Sequence, residues 1–226
     1  MKRYLLAGLS AATLLIAPAA SAGVLTLDFG ESSLSSNETA TGASAEVTMG
    51  FENEDGEVRL TVTVDNTTDE TDFGLGAMEG QLTGFAFDLP GGASYVDESF
   101  TTTGYLDTLI VDASLPPFGS FDLAFADNKN FAGGNAKGAL PEGQSATMSV
   151  LLATTADADM LMQAFSTALF SGEIRAALRF QSVGADGELS DKLLFDDLNP
   201  VPVPGAAALM LTGLIGGAGA RRLRRR

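Results

Sequence analysis

Most side chains that carry enzymatic chemistry are missing from this sequence. The chain has no Cys and no His, which excludes disulfides, thiolate nucleophiles, Ser-His-Asp triads and nearly every catalytic zinc site. Carboxylates remain, and a pair of them roughly 5–9 Å apart could serve a glycoside hydrolase. Because nothing among the 29 acidic residues selects such a pair, we expect no enzymatic activity. A carboxylate-based glycoside hydrolase is the third alternative for function.

Two acidic clusters, at residues 52–57 and 65–72, could bind a hard cation. Calcium takes six to eight oxygen ligands, and carboxylates within one loop can supply several of them. We take Asp65, Asp69 and Asp72 as the candidate calcium ligands and expect no other cofactor. Neither cluster follows the twelve-residue calcium-loop pattern, and solvated acidic loops are the alternative.

Aromatic side chains that could stack on a sugar are scarce. There is no Trp, and Tyr95 and Tyr105 are the tyrosines outside the first 22 residues. They flank a Thr-rich stretch and could lie close together. The alternative is that both tyrosines are buried or lie on an edge strand. The alternating Phe85, Phe87 and Phe121 are predicted to lie in the core.

The charge is distributed unevenly along the chain. Of 13 basic residues, two lie in positions 1–22 and five in positions 201–226, where there is no acidic residue. Residues 23–200 therefore hold six basic residues against all 29 acidic ones, a net charge of −23. Such a domain repels phosphate backbones, so nucleic-acid binding is excluded.

The middle segment predicts one antiparallel β-domain with a single short helix. In residues 57–65, aliphatic and polar side chains alternate, which is typical of a strand with one buried face. Residues 173–181 show a similar alternation, with Arg175, Ala177 and Arg179 on the wet face. Further strands are predicted at residues 24–29, 45–51, 82–89, 118–126, 145–153 and 189–195. Evenly spaced short strands favour a β-sandwich, of jelly-roll or cohesin-like type.

Two connections are also predicted from local sequence. Residues 157–169 carry apolar side chains at helical spacing, with Thr155 as the N-cap, Asp157 and Asp159 in the first turn, and Gly172 as the stop. Residues 184–187 predict a hairpin between two strands.

The first 22 residues predict a signal peptide. Lys2 and Arg3 precede an uncharged apolar run, and Ala20 and Ala22 are the small residues that signal peptidase accepts. We expect cleavage before Gly23 and export by the general secretion route. An uncleaved N-terminal anchor is the alternative.

The last 26 residues predict a short membrane segment. Residues 205–220 carry no charge and would span roughly 24 Å as a helix, against a hydrocarbon core of about 30 Å. The cluster of Arg221, Arg222, Arg224, Arg225 and Arg226 would stay on the cytoplasmic side.

The order of these elements at the C-terminus resembles a known bacterial sorting signal. A Pro motif, an apolar segment and terminal arginines are similar to the PEP-CTERM class, closest to its Val-Pro-Leu-Pro-Ala variant. The motif consists of Val201, Pro202, Val203, Pro204 and Gly205, of which Val203 and Gly205 depart from that variant. The resemblance implies that an exosortase recognises the tail and cuts near the Pro motif. An ordinary C-terminal membrane anchor is the alternative.

Two internal segments strengthen the resemblance. Residues 82–90, and residues 179–192 with Arg179, Gln181, Ser190, Asp191 and Lys192, are similar to stretches of other exosortase-sorted passengers. The likeness implies a secreted β-sandwich and assigns no chemistry.

These features predict three regions: a signal peptide (1–22), an acidic β-sandwich domain (23–200) and a sorting signal (201–226). We expect export, transient anchoring in the inner membrane, and delivery to the surface or extracellular matrix of a Gram-negative bacterium. The predicted role is structural or adhesive, and a glycan- or calcium-binding module of the exopolysaccharide matrix is the second alternative. Signal peptidase, exosortase, the membrane and an exopolysaccharide are the expected partners.

Overall fold

The described part of the protein folds as two packed antiparallel β-sheets with one short helix, as the sequence predicts for this domain. The computed structural model describes residues 23–68, 73–77, 80–129, 131 and 138–196. The predicted signal peptide and sorting signal therefore lie outside the described residues. Within the part that is described, no helix is long and apolar enough to cross a membrane.

Each sheet contains six strands within the described residues. Sheet A has the order β1-β3-β4-β10-β6, with β7 also paired to β10, and sheet B has the order β2-β12-β11-β5-β9-β8. The strands of sheet A are β1 (Gly23–Phe29), β3 (Ala45–Glu54), β4 (Glu57–Asn66), β6 (Ser94–Tyr95), β7 (Thr101–Thr102) and β10 (Ser145–Ala153). The strands of sheet B are β2 (Leu34–Ser35), β5 (Gln81–Phe87), β8 (Thr108–Ser114), β9 (Ser120–Ala126), β11 (Ala176–Val183) and β12 (Leu189–Leu194).

Sheet A has one buried face and one face toward solvent. In β4, Val58, Leu60, Val62 and Val64 are at most 1% exposed, whereas the alternate residues are half-buried. The period of two residues along a strand places these four aliphatic side chains on the core side. The prediction for residues 57–65 is confirmed.

The centre of sheet B is covered on both faces, which corrects the prediction of a solvent-exposed face for Ala177 and Arg179, whereas Arg175 and Gln181 remain partly exposed. In β11, the five residues from Ala176 to Phe180 are all buried, including Ala177 and Arg179. Leu115, Phe118 and Phe131 pack against the outer face of the sheet. At Gly84 of β5, an added Cβ would lie 2.4 Å from the Phe131 ring, so only glycine fits under this ring.

Helix α1 (Ala158–Phe170) packs against β1 and β3 and reaches the core. The Phe165 ring is fully buried, with its centroid 5.3 Å from that of Phe51 in sheet A and 6.4 Å from that of Phe87 in sheet B. The predicted N-cap, Thr155, is wrong. The Asp157 carboxylate caps the helix, accepting a hydrogen bond from the backbone N–H of Met160 at 2.8 Å.

The remaining local predictions are largely confirmed. All the predicted strands are present with shifted ends, and residues 184–187 connect β11 to β12. Phe85, Phe87 and Phe121 lie in the core. Strand β8 and the two-residue strands β2, β6 and β7 were not predicted from the sequence.

The strand β1 begins at the first described residue. Gly23 pairs with Phe51 of β3. A Cβ at this position would lie 3.2 Å from the side chain of Met162 in α1. The start of β1 is thus held between a neighbouring strand and the helix.

Candidate functional site

The predicted calcium ligands are only partly described. Asp69 and Asp72 lie outside the described residues, as does the end of the 65–72 cluster. Asp65 lies on the solvent side of β4 and accepts a hydrogen bond from the Ser145 hydroxyl. Among the described residues, no group of three or more acidic side chains could hold a metal ion. Calcium binding at Asp65, Asp69 and Asp72 stays a prediction.

Asp65 belongs to a row of like charges across sheet A. Asp28 of β1 pairs with Glu46 of β3, and Glu46 pairs with Asp65 of β4. Side chains directly opposite each other in neighbouring strands have Cβ atoms about 5 Å apart, and like charges in such pairs are destabilising. This acidic row therefore opposes the pairing of β1, β3 and β4.

The rest of the exposed face of sheet A is rich in hydroxyl groups. Thr26, Thr48, Thr63 and Thr147 lie opposite one another on β1, β3, β4 and β10. The hydroxyl oxygens of Thr63 and Thr147 are 3.1 Å apart and form a hydrogen bond. We call these four threonines the hydroxyl row.

A second line of hydroxyls lies beside the hydroxyl row. Thr61 pairs with Ser149, whose hydroxyl oxygen is 2.8 Å from that of Thr101. Arg59 forms an ion pair with Glu54 and also donates to Ser149 at 3.2 Å. The hydrogen bond from Arg59 holds the pKa of the Glu54 carboxyl below its usual value. The exposed face of sheet A is therefore polar, and an ion pair and hydrogen bonds hold side chains in place near its centre.

The two tyrosines do not form an exposed platform for a sugar ring. Tyr95 lies in the two-residue strand β6, and Tyr105 lies in the loop that follows β7. Both rings are half-buried and pack against the main core. The expectation of buried or edge-strand tyrosines is met by Tyr95, whose strand β6 ends the order of sheet A, but not by Tyr105, which is half-buried in a loop.

A buried carboxylate joins the segment around β2 to β12. Asp191 is 1% exposed and accepts hydrogen bonds from the hydroxyls of Ser35 (2.8 Å), Ser36 (3.1 Å) and Thr41 (2.8 Å). It also accepts from the backbone N–H groups of Ser36 (3.2 Å) and Lys192 (2.7 Å). A buried charge needs such partners, so Asp191 has a structural role in fixing this edge of sheet B.

A small polar pocket of about 280 Å³ lies on the β11–β12 hairpin, on the face opposite to Asp191. We call it the hairpin pocket. It is lined by Arg179, Gln181, Ser182, Gly187, Glu188, Leu189 and Ser190.

Two charged groups outside the lining of this pocket interact with Arg179, which lines it. Arg179 of β11 is 5% exposed and pairs directly with Lys192 of β12. Burial raises the pKa of the nearby Asp127 carboxyl, although Arg179 opposes this effect. Burial, and then the charge of Arg179, lower the pKa of the Lys192 ammonium.

Sequence reasoning did not assign a role to Asp191 or to the hairpin pocket. The available signal was the likeness of residues 179–192 to other sorted passengers, which contains Arg179, Asp191 and Lys192. Their alternation on a strand puts Asp191 on one face and Arg179 with Lys192 on the other. The segment that resembles other sorted passengers thus contributes to two separate sites, the buried Asp191 carboxylate and the hairpin pocket.

The fold defines the protein as an antiparallel β-sandwich. Comparisons with known proteins do not narrow this fold class further. No protein-family model and no curated protein matches the chain. One similar solved structure comes from a study of the pH-induced modulation of Streptococcus parasanguinis adhesion by Fap1 fimbriae. The identity is 10%, the match covers 81% of this chain and 98% of that chain, and the TM-score is 0.35. A likeness at this TM-score carries no argument about function.

Proposed function

We propose that this protein is a non-catalytic structural or adhesive component of the cell surface or extracellular matrix, exported and sorted by an exosortase. The observation that supports this is the pair of terminal segments: the cationic apolar segment before Gly23, and the Pro motif, apolar run and arginines after residue 200. They flank an acidic β-sandwich, so the sequence combines an export signal, a passenger and a sorting signal.

The exposed face of sheet A supports a role in a hydrated matrix. The hydroxyl row offers donors and acceptors, and no aromatic ring is among the large exposed hydrophobic side chains of the described residues. Such a surface exchanges hydrogen bonds with water and with sugar hydroxyls at low cost.

Processing is tested by intact-mass measurement on protein recovered from the surface of an exosortase-bearing host. We expect a mass that starts at Gly23 and lacks the five terminal arginines. A double variant, Pro202→Ala with Pro204→Ala, should retain its tail in the membrane fraction, whereas Pro90→Ala, which changes a proline of the domain, should be processed normally. A surface protein that retains the arginines would refute sorting.

The adhesive role is tested separately, by retention of the protein in the matrix after washing. Thr63→Glu adds one charge to the exposed face and should reduce retention. Thr155→Glu, an exposed site before α1, is the matched control and should be retained like the unchanged protein. Equal retention of all three proteins would remove this face from the proposal.

A glycan-binding module of the matrix is the second candidate function. The hairpin pocket is the specific observation that favours it, because it joins amide, hydroxyl and cationic side chains in one concave site.

A further inference from the structure

The outer edge of β1 has no neighbouring strand among the described residues. β1 ends the strand order of sheet A, and β3 pairs with its inner edge. The strand is seven residues long, and it contains no proline, no lysine and no shift in register. Such an edge presents a row of backbone N–H and C=O groups with which another strand can pair. β1 is therefore a candidate surface for strand addition.

The other sheet edges are interrupted. Strands β2, β6 and β7 contain two residues each. β8, at the far edge of sheet B, is as long as β1, but Asp112 adopts φ = 54° within it and the pairing with β9 skips this residue. Short strands and kinks protect an edge from pairing with another chain. Among the described strands, β1 is the long edge without such protection.

The hairpin between β3 and β4 determines which backbone groups of β1 point outward. Residues 55–56 form a two-residue turn, so the residues that flank the turn exchange hydrogen bonds with each other. Going back along β3, alternate residues then bond to β4 and to β1, and Phe51 bonds to Gly23. The N–H and C=O groups that point away from β3 are those of Val24, Thr26 and Asp28.

The side chains of the same three residues lie on the exposed face of sheet A. Val24 is 52% exposed, and its neighbour on β3 is Gly50, which has no side chain to cover it. Thr26 is exposed and ends the hydroxyl row at this edge. Asp28 is the one charged residue of β1. The edge is thus mostly uncharged in a domain whose net charge is −23.

A second copy of β1 fits this edge when the two strands run antiparallel around Thr26. Thr26 then lies opposite Thr26 of the second copy, and Val24 lies opposite Asp28, so that each pair exchanges two backbone hydrogen bonds. The two Asp28 carboxylates are separated by roughly 13 Å along the strands. Parallel pairing in register would instead place them side by side, where like charges repel. The edge is therefore complementary to itself in the antiparallel arrangement.

We propose that β1 pairs antiparallel with β1 of a second copy of this chain, around a two-fold axis at Thr26. The two A sheets then form one continuous sheet, and the hydroxyl rows of both copies join into a single row. This self-association goes beyond the proposed structural or adhesive role, and it does not depend on processing of the tail.

The test is disulfide cross-linking, because the chain contains no Cys and each engineered thiol is the only one. The full chain, in an excess of detergent micelles, is oxidised mildly and separated on a non-reducing gel. Residues opposite each other in a hydrogen-bonded pair have Cα atoms about 5.5 Å apart, a distance that a disulfide spans. Thr26→Cys should form a linked dimer about tenfold faster than Thr48→Cys, the matched control one strand further in.

Two further cysteines test the register. Val24→Cys and Asp28→Cys should each stay monomeric, because each thiol lies roughly 13 Å from its own copy. A mixture of the two chains should cross-link, because these positions lie opposite each other. Thr26→Pro in both chains removes an outward N–H and should abolish this cross-link. An edge strand accepts proline where its N–H faces solvent, and urea unfolding checks that the proline variant folds.

Several outcomes would overturn the proposal. Equal rates for Thr26→Cys and Thr48→Cys would exclude pairing through this edge, and rapid cross-linking of Val24→Cys alone would exclude the antiparallel register. A Thr26→Cys chain that stays monomeric would mean that another protein, or another segment of this chain, occupies the edge. The cysteines replace exposed side chains, so they decide the question even if the proline variant does not fold. Intact mass and matrix retention are measured separately, so failure here leaves the proposed function standing.

Discussion

Removal of the Asp191 carboxylate should loosen the edge of sheet B. In Asp191→Ala, the backbone N–H of Ser36 keeps a partner in the Lys192 carbonyl at 2.8 Å, and the N–H of Lys192 keeps the Ser36 hydroxyl at 3.0 Å. The Ser35 hydroxyl is only partly buried, so water can replace the carboxylate there. The Thr41 hydroxyl is different, because Thr41 is 1% exposed and donates to Asp191.

These contacts set the size of the effect. Leaving a buried hydroxyl without its acceptor costs about 1–3 kcal/mol, and the lost charged hydrogen bonds add to this. We expect Asp191→Ala to lower the free energy of unfolding by about 3 kcal/mol. Asp191→Asn should cost about half as much, because the amide keeps one oxygen acceptor and the hydroxyls can rotate.

The assay is urea unfolding followed by far-UV circular dichroism, with a double-mutant cycle through Thr41→Val. Because Thr41→Val removes the hydroxyl that Asp191→Ala would leave unpaired, the double variant should be more stable than the sum of the single effects predicts, by about 1 kcal/mol. Hydrogen exchange should become faster at residues 34–41. Additive effects within about 0.3 kcal/mol, or an Asp191→Ala variant as stable as the unchanged protein, would refute this reasoning.

Three further predictions concern stability and are checked by urea or thermal unfolding. Asp28→Asn should stabilise the protein by about 0.5 kcal/mol, because it relieves repulsion from Glu46. This gain in stability should disappear in about 1 M NaCl. The control, Glu31→Gln in the turn after β1, should give no gain. Asp157→Ala should lower the free energy of unfolding by about 1 kcal/mol through loss of the helix cap. The assignment of the cap would be contradicted by an unchanged stability, or by an equal loss in Thr155→Ala. Phe165→Ala should cost about 4 kcal/mol, because it empties a site between the two sheets; Met160→Ala, on the exposed side of the same helix, should stay within about 0.5 kcal/mol.

The sequence predicts strands well where one face is wet. The alternation in β4 is a local property of the chain, and the structure keeps it. Residues 176–180 follow a similar pattern, but Leu115, Phe118 and Phe131 cover their second face. No local sequence pattern predicts that this face is covered, because the covering side chains come from segments at least 45 residues away in the sequence.

Strand β8 was missed for a different reason. Leu109, Ile110 and Val111 are consecutive apolar residues that do not alternate, and Val111 is 52% exposed. Asp112 then adopts φ = 54°, which interrupts regular strand geometry. Periodicity is a weak guide where an edge strand is kinked in this way.

The functional groups were the least predictable part of the molecule. Asp191 meets Thr41 across 150 residues of sequence, and a single sequence does not show such a contact. The pairing of Arg179 with Lys192 depends on the hairpin register, which the Gly184 to Gly187 connection sets. Sequence identified the hairpin but could not assign opposite roles to its two faces.

The position of Gly23 bears on the order of events in the proposed export. A protease needs its substrate in an accessible, extended form, whereas Gly23 in the folded domain is paired into a sheet, with the Met162 side chain 3.2 Å from where a Cβ would lie. If the leader is removed before Gly23, the cut must precede the docking of β1. In that case folding would act as a timer, because a chain that completed its sandwich before the cut would keep the proposed leader.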